Sequence, residues 1–328
     1  MVAAGAPAPP KVVASSFLIA DADTGEVLAA KDAHGRYLPA STLKTLTAAT
    51  MIPKLDPNAT VKPTPFTTKV VPTTIGLDPK KTYKVKDLFR IMLMISANDA
   101  AKAIAQAAGG YQKAVAMLNA EAKRLGAQDT LAGSPNGLDD DLGLSVRTQH
   151  SSAYDLALIF RQGLRLPDFV DYITTLKCKF PYWGTQITHD KMLLGPYKYP
   201  GMIGGKTGFT TAAMQNFVGA ARRNGHTIII SEMHSSNQFW ADAAKLLNWG
   251  FAADGKVTPV GRLTDPPQTS KADSAPAPAS ASSPKAVNAS RPGSGNSVPT
   301  PLLIIGGLAV VAAGLLAGFL IVAARRAR

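Results

Sequence analysis

Three short strings, far apart along the chain, restrict its fold more than any other feature: Ser41-Thr42-Leu43-Lys44, Ser96-Ala97-Asn98 and Lys206-Thr207-Gly208. Alone, each has a bland reading. A serine three residues before a lysine is an ordinary helix N-cap with a solvated amine, Ser96 and Asn98 are a helix-ending turn, and Lys206 is a strand lysine near a glycine. All three in this order, with gaps of about 50 and about 100 residues, are a different matter. A fold that uses them together must close two long loops and bring two helix ends and a strand to one cleft.

The residue types suit one chemistry. The Ser41 hydroxyl is a poor nucleophile until a base takes its proton. One helical turn on, Lys44 places its amine on the same face, and at a helix start the Ser41 N–H has no intrahelical partner. A free lysine titrates near ~10.4, so a neutral amine at pH 7 costs about 4.6 kcal/mol. A second cation about 4 Å away, at an effective dielectric constant near 20, supplies about 4 kcal/mol of this, and burial acts in the same direction. Lys206 is the candidate for that cation. Ser96 can relay a proton between Lys44 and a leaving amine, and Asn98 can hold a substrate backbone. On an edge strand, Thr207 can donate to a carboxylate, Lys206 adds charge and Gly208 lets backbones approach closely. The N–H of Phe209 would join that of Ser41 as an oxyanion donor. No metal site is expected, because the histidines (His34, His150, His189, His226 and His234) do not pair at ligand spacing. Pro200 to Thr207 resembles a phosphate-binding loop, but its first glycine is one residue late.

Hydrophobic patterning gives a mixed α+β fold. Phe17–Ala20 and Glu26–Ala29 flank an Asp-Gly turn and read as a hairpin. Helices are predicted from Ser41 to Met51 (ended by Pro53), across Leu88, Ile91, Met92 and Ile95, and over 99–108, 111–125 and 152–162. Strands follow at 204–209, 216–222 and 227–233, then a closing helix at 239–249. Strands at both ends imply one antiparallel sheet flanked by helices, with a helical insert. Cys178 is the one cysteine. No intrachain disulfide can exist, and the alternation of 176–180 predicts a small buried hydrophobe there.

Outside a catalytic domain at 15–262 the chain changes character. Residues 1–14 form an N-terminal arm without the basic and apolar regions of an export signal, so a truncated start is expected. Residues 263–301 are a Pro/Ala/Ser tether with a mean span of about 35 Å. Residues 302–324 are apolar without a charge and long enough to cross a bilayer. Residues 325–328 are a basic tail of the kind retained in the cytoplasm. The expectation is a single-pass bacterial membrane protein with its catalytic domain outside the cytoplasm. The formal charge of +13, densest between Lys62 and Arg90, fits attraction to acidic wall polymers or anionic membrane. A nucleic-acid partner has no supporting motif.

The chain resembles the low-molecular-mass penicillin-binding proteins, specifically the D-alanyl-D-alanine carboxypeptidases of the peptidase S11 type. The likeness spans about residues 15–250 and extends beyond the three strings, to Asp21-Ala22-Asp23-Thr24-Gly25-Glu26-Val27-Leu28, Leu38-Pro39-Ala40, Asp99-Ala100-Ala101 and Phe209-Thr210. It implies a β-lactamase/transpeptidase-like fold and removal of the terminal D-Ala from peptidoglycan stem pentapeptides through an acyl-enzyme on Ser41. It also implies covalent inhibition by β-lactams, and no cofactor. Two departures stand out. No second β-rich domain precedes the apolar segment, and Thr188 to Leu193 carries Asp190 where the family often has an amide near the substrate carboxylate. Three rivals share the motifs. A β-lactamase needs a glutamate-activated water, and none of Glu26, Glu121 and Glu232 stands in a Glu-x-x-Leu-Asn setting. A penicillin sensor would be labelled without releasing D-Ala, and a transpeptidase differs in its acceptor.

Overall fold

The structure is a computed structural model that describes residues 8–139 and 143–265. Strands β1 (Ser16–Asp21) and β2 (Glu26–Lys31) form the predicted hairpin. Its turn closes because Asp21 Oδ1 accepts the N–H groups of Asp23 and Thr24, while Gly25 takes a left-handed φ of +84°. Ser41 does not open an α-helix. It sits in a 3-10 turn, Ala40–Leu43, and helix α1 (Lys44–Met51) starts only at the lysine. Pro53 lies within a second 3-10 turn, Ile52–Lys54, rather than ending α1 directly.

A helical region follows. β3 (Thr60–Val61), α2 (Pro65–Thr68) and β4 (Tyr83–Lys84) lead into α3 (Val85–Met94), α4 (Asn98–Ala107) and α5 (Tyr111–Leu125). Leu88, Ile91 and Met92 are all buried, as helical spacing requires. Gly110 and Gly126, both at positive φ, bracket α5. Helix α6 (Ala153–Leu164) begins where the Ser152 hydroxyl accepts the N–H of Asp155 at 3.1 Å. Then come α7 (Pro167–Thr174) and a two-stranded ribbon of β5 (Lys177–Phe180) and β6 (Gly184–Ile187). Cys178 on β5 is half-buried rather than fully buried.

Three long strands complete the sheet: β7 (Met202–Thr210), β8 (Met214–Arg223) and β9 (His226–Ser235). Helix α8 (Phe239–Ala253) and the short β10 (Gly261–Arg262) follow. The order is β10-β2-β1-β9-β8-β7, with each adjacent pair antiparallel. Both faces of the centre are covered. Phe17, Ile19, Ile228 and Ile230 pack under α8, while Leu18, Ala20 and Ile229 belong to the larger core with α1, α3 and α6. Strand alternation divides one run of apolar residues between two cores.

The folded part runs past residue 262. Leu263 is fully buried and Asp265 pairs with Arg161 and Arg165. Val13 and Ala14, assigned to the arm, are tied to Asp242 and Lys31. The tether beyond residue 265, the apolar segment 302–324 and the tail 325–328 lie outside the described residues. Among the described residues, no helix is long and apolar enough to cross a membrane.

Candidate active site

Three elements converge on Lys44. Its side chain is 0 % exposed, and Nζ lies 2.7 Å from Ser41 Oγ, 2.7 Å from Asn98 Oδ1, 2.9 Å from the Asn136 carbonyl and 3.4 Å from Ser96 Oγ. An ammonium has three donors and no acceptor. A neutral amine has two donors and one lone pair. The Asn98 and Asn136 oxygens can only accept, which uses both donors, and the lone pair is left facing the one short neighbour that can donate, the Ser41 hydroxyl. The amide orientation of Asn98 is fixed because its Nδ2 donates to Val71 O at 2.9 Å. These three oxygens match an ammonium's three donors as well as a neutral amine's two donors and lone pair, so the contacts admit lysine as a base and its burial sets the protonation state.

Burial is the first cause holding Lys44 well below the usual lysine range, and the positive charge of Lys206 is the second; Asp99 acts against both. This reverses the weight expected from the sequence. Lys206, 2 % exposed on β7, is itself brought down to about 7 by burial, with Asp190 opposing. A group near its own midpoint carries only part of a charge at neutral pH, so the like-charge effect is partial. Lys206 Nζ donates to Thr207 O at 2.7 Å, and the side chain is buried beside the cleft instead of lining it.

The cleft has a volume of about 550 Å³, and Ser41, Ser96, Asn98, Thr207, Gly208 and Phe209 all line it. Seven of the eight predicted residues thus either line it or touch the nucleophile, and the eighth, Lys206, acts through its charge on Lys44. β7 is the edge strand. One side pairs with β8 and the other is left for a peptide. Gly208 packs so tightly on the 3-10 turn that a Cβ there would lie 2.7 Å from Pro39 O and 2.9 Å from the nitrogens of Ser41 and Thr42. Only glycine allows this approach. Ser96 follows α3 in a left-handed conformation, φ +65°, which turns the chain sharply enough for Ser96 and Asn98 both to face the cleft.

Several supporting groups were not legible in the motifs. The Asn136 carbonyl comes from a loop 92 residues beyond Lys44. Its Pro-Asn-Gly triplet is a turn signal, and Gly137 (φ +81°) lies where a Cβ would strike Ala40 O. Buried Asp99 accepts the N–H groups of Ile75, Gly76 and Leu77 at 3.1, 2.8 and 2.9 Å. It thereby fastens the loop carrying the cleft residues Pro72 and Thr73 to the second motif. Asp190, the departure noted in the sequence, does not face the cleft. It is buried, its Oδ1 accepts the Met192 N–H at 2.8 Å, and burial raises its pKa to about 6. The flanking His189 and Lys191 line the cleft instead. Burial, then Lys206, holds His189 below its ordinary value. Among the described residues no carboxylate lines the cleft, an environment suited to an anionic peptide terminus.

The sequence profile described as D-alanyl-D-alanine carboxypeptidase matches residues 3–237. The chain is 37% identical over 258 residues to D-alanyl-D-alanine carboxypeptidase DacB2 of Mycobacterium tuberculosis, covering 76% of this chain and 86% of that one. It is 32% identical to DacD of Salmonella typhimurium but spans only 64% of that longer protein. Among solved structures, a D-alanyl-D-alanine carboxypeptidase from Mycobacterium tuberculosis superposes with a TM-score of 0.75 at 37% identity, over 80% of this chain and 99% of that one. A mutant of a Streptomyces DD-transpeptidase gives 0.67 at 25% identity, over 74% and 99%. With this site geometry on this sheet, the chain belongs to the D-alanyl-D-alanine carboxypeptidase family of penicillin-binding proteins.

Proposed function

We propose that the protein removes the terminal D-alanine from peptidoglycan stem pentapeptides, with Ser41 as nucleophile and Lys44 as general base. The observation that carries this is the 2.7 Å contact between Lys44 Nζ and Ser41 Oγ, at a lysine that is fully buried. Lys44 takes the Ser41 proton as Oγ attacks the carbonyl of the penultimate D-Ala. The tetrahedral oxyanion forms against the N–H groups of Ser41 and Phe209. The C–N bond then breaks, and the leaving D-Ala amine receives the proton from Lys44 through Ser96. Water attacks the resulting ester and gives its proton to Lys44, which passes it to Ser41 Oγ as the acyl C–O bond breaks, restoring the free hydroxyl and the neutral amine. Thr207, with His189 and Lys191 nearby, meets the terminal carboxylate, and Asn98 holds the peptide backbone. A β-lactam reacts at the same serine and leaves a slowly hydrolysed ester. No cofactor takes part.

We also propose that the catalytic domain works outside the cytoplasm of a bacterium, attached to the membrane through residues 302–324 with the C-terminus inside. Support comes from the uncharged apolar run followed by Arg325, Arg326 and Arg328.

The test is to incubate a 8–265 fragment with a diacyl-Lys-D-Ala-D-Ala peptide and measure free D-Ala, with Ser41→Ala as control. D-Ala release lost in that variant supports the assignment. Penicillin labelling without D-Ala release would make the protein a sensor. Rapid nitrocefin turnover would make it a β-lactamase, although none of its three glutamates lines the cleft. Transfer to an added amine in preference to water would make it a transpeptidase.

A further inference from the structure

Exposed apolar side chains gather on one ribbon outside the catalytic cleft. Leu176 (43 % exposed), Tyr182 (60 %), Trp183 (45 %) and Ile187 (48 %) fall within twelve residues on and around the β5–β6 ribbon. The ribbon is two-faced. Phe180 is buried and Cys178 half-buried against the core, while Lys177, Lys179, Thr185 and Ile187 alternate onto the exposed side. Lys177 pairs with Ile187, and Lys179 with Thr185. At the tip, Tyr182 and Gly184 take positive φ (+70° and +71°), forming a tight turn that presents Tyr182 and Trp183 together. The tip is braced. Tyr182 meets the edge of Tyr83, Lys81 lies 4.4 Å from the Tyr182 ring centre, and Trp183 lies against Gly76. Lys81 therefore stands at the aromatic tip with Lys80 beside it in sequence, Lys179 and then Lys177 follow along the ribbon away from the tip, and Asp78 is the acidic neighbour of Lys81. This is part of the basic region that stood out in the sequence and that catalysis does not use.

We propose that the exposed face of the β5–β6 ribbon docks the catalytic domain onto an anionic lipid bilayer. Charge complementarity matches the four lysines to lipid phosphates. The phenol and indole suit the headgroup layer, where amphipathic rings collect, and Ile187 and Leu176 reach the acyl boundary. A wall polymer of sugar phosphates would use the lysines and stack on the rings, but it offers nothing to Ile187 and Leu176. A bilayer uses all of them.

The 8–265 fragment tests this without residues 302–324. It contains its whole sheet and both cores, and a solved relative covered over 99% of its chain by this region stands as a folded protein. Sedimentation with vesicles of equal phosphatidylglycerol and phosphatidylcholine should show binding that neutral vesicles lack and 0.5 M salt removes. Brominated lipid should quench the Trp183 fluorescence. Lys177→Glu/Lys179→Glu should weaken partitioning by about fivefold per lysine or more, and Tyr182→Ser/Ile187→Ser, which keeps the Trp183 indole, should reduce its quenching. Fluorescent penicillin labelling of Ser41 should stay normal in both, which separates this proposal from the assignment of the active site. Equal binding to neutral vesicles, an unaffected lysine variant, or binding to a polyglycerol phosphate polymer but not to vesicles would overturn it.

Discussion

Replacing Gly208 by alanine tests whether the edge strand must touch the nucleophile's backbone. The added methyl would sit 2.7 Å from Pro39 O and 2.9 Å from the nitrogens of Ser41 and Thr42. Ordinary carbon contacts begin near 3.4 Å, so strand and turn must separate by about 0.5–0.7 Å. All three atoms are backbone, and no side chain can swing aside to relieve the clash. The methyl also lies over the Ser41 N–H, where the oxyanion is to form. A misplacement of about 1 Å costs on the order of 10²-fold in rate, and loss of one oxyanion donor costs about 10²–10³-fold. Acylation should therefore fall about 10²-fold, or about 2.7 kcal/mol of transition-state stabilisation. Stopped-flow acylation by a chromogenic β-lactam, beside peptide turnover, measures it, and a melting curve checks folding. A folded variant that acylates within about threefold of the parent would refute the reasoning, because it would show that the close approach is not what activates the site.

Lys206→Met keeps bulk but removes a positive charge that depresses Lys44. The acidic limb of the acylation pH profile should move to higher pH without reaching that of a free lysine, since burial remains; an unmoved limb would exclude the coupling. Asp99→Asn loses acceptors for the 75–77 backbone and a negative charge that raises Lys44. KM for the peptide should rise about tenfold, as for a loosened positioning loop, while the acidic limb moves to lower pH. A limb moving upward would contradict the electrostatic sign. Glu232 is fully buried on β9, and burial, then Asp242, raises its pKa well above the ordinary value, with Ser235 acting against them. A raised folded-state pKa means that the native state binds the extra proton, so stability is lost as pH climbs above the unfolded glutamate value. Glu232→Gln should leave the melting temperature at pH 4 nearly unchanged and raise it increasingly towards pH 8; a gap constant with pH would refute this.

The sequence alone determined what depends on neighbours along the chain. Periodicity located α3 to α6 and the long strands, glycines bracketed α5, and the Asp-Gly turn closed the first hairpin. Residue chemistry picked out Ser41, Lys44, Ser96 and Asn98 because their roles follow from functional groups. The ribbon strand β6 and helix α7 escaped notice because short exposed segments carry little periodic signal. The tertiary structure alone decided the proton. Lys44 is neutralised chiefly by complete burial and then by the charge of Lys206, beside a carbonyl delivered from 92 residues away, and neither the burial nor that carbonyl can be read from a four-residue spacing. The structure likewise turned Asp190 inward and Lys191 outward, and buried Lys206 beside the cleft rather than in its lining. Desolvation and side-chain direction belong to the packed interior, and that interior exists only once distant segments have met.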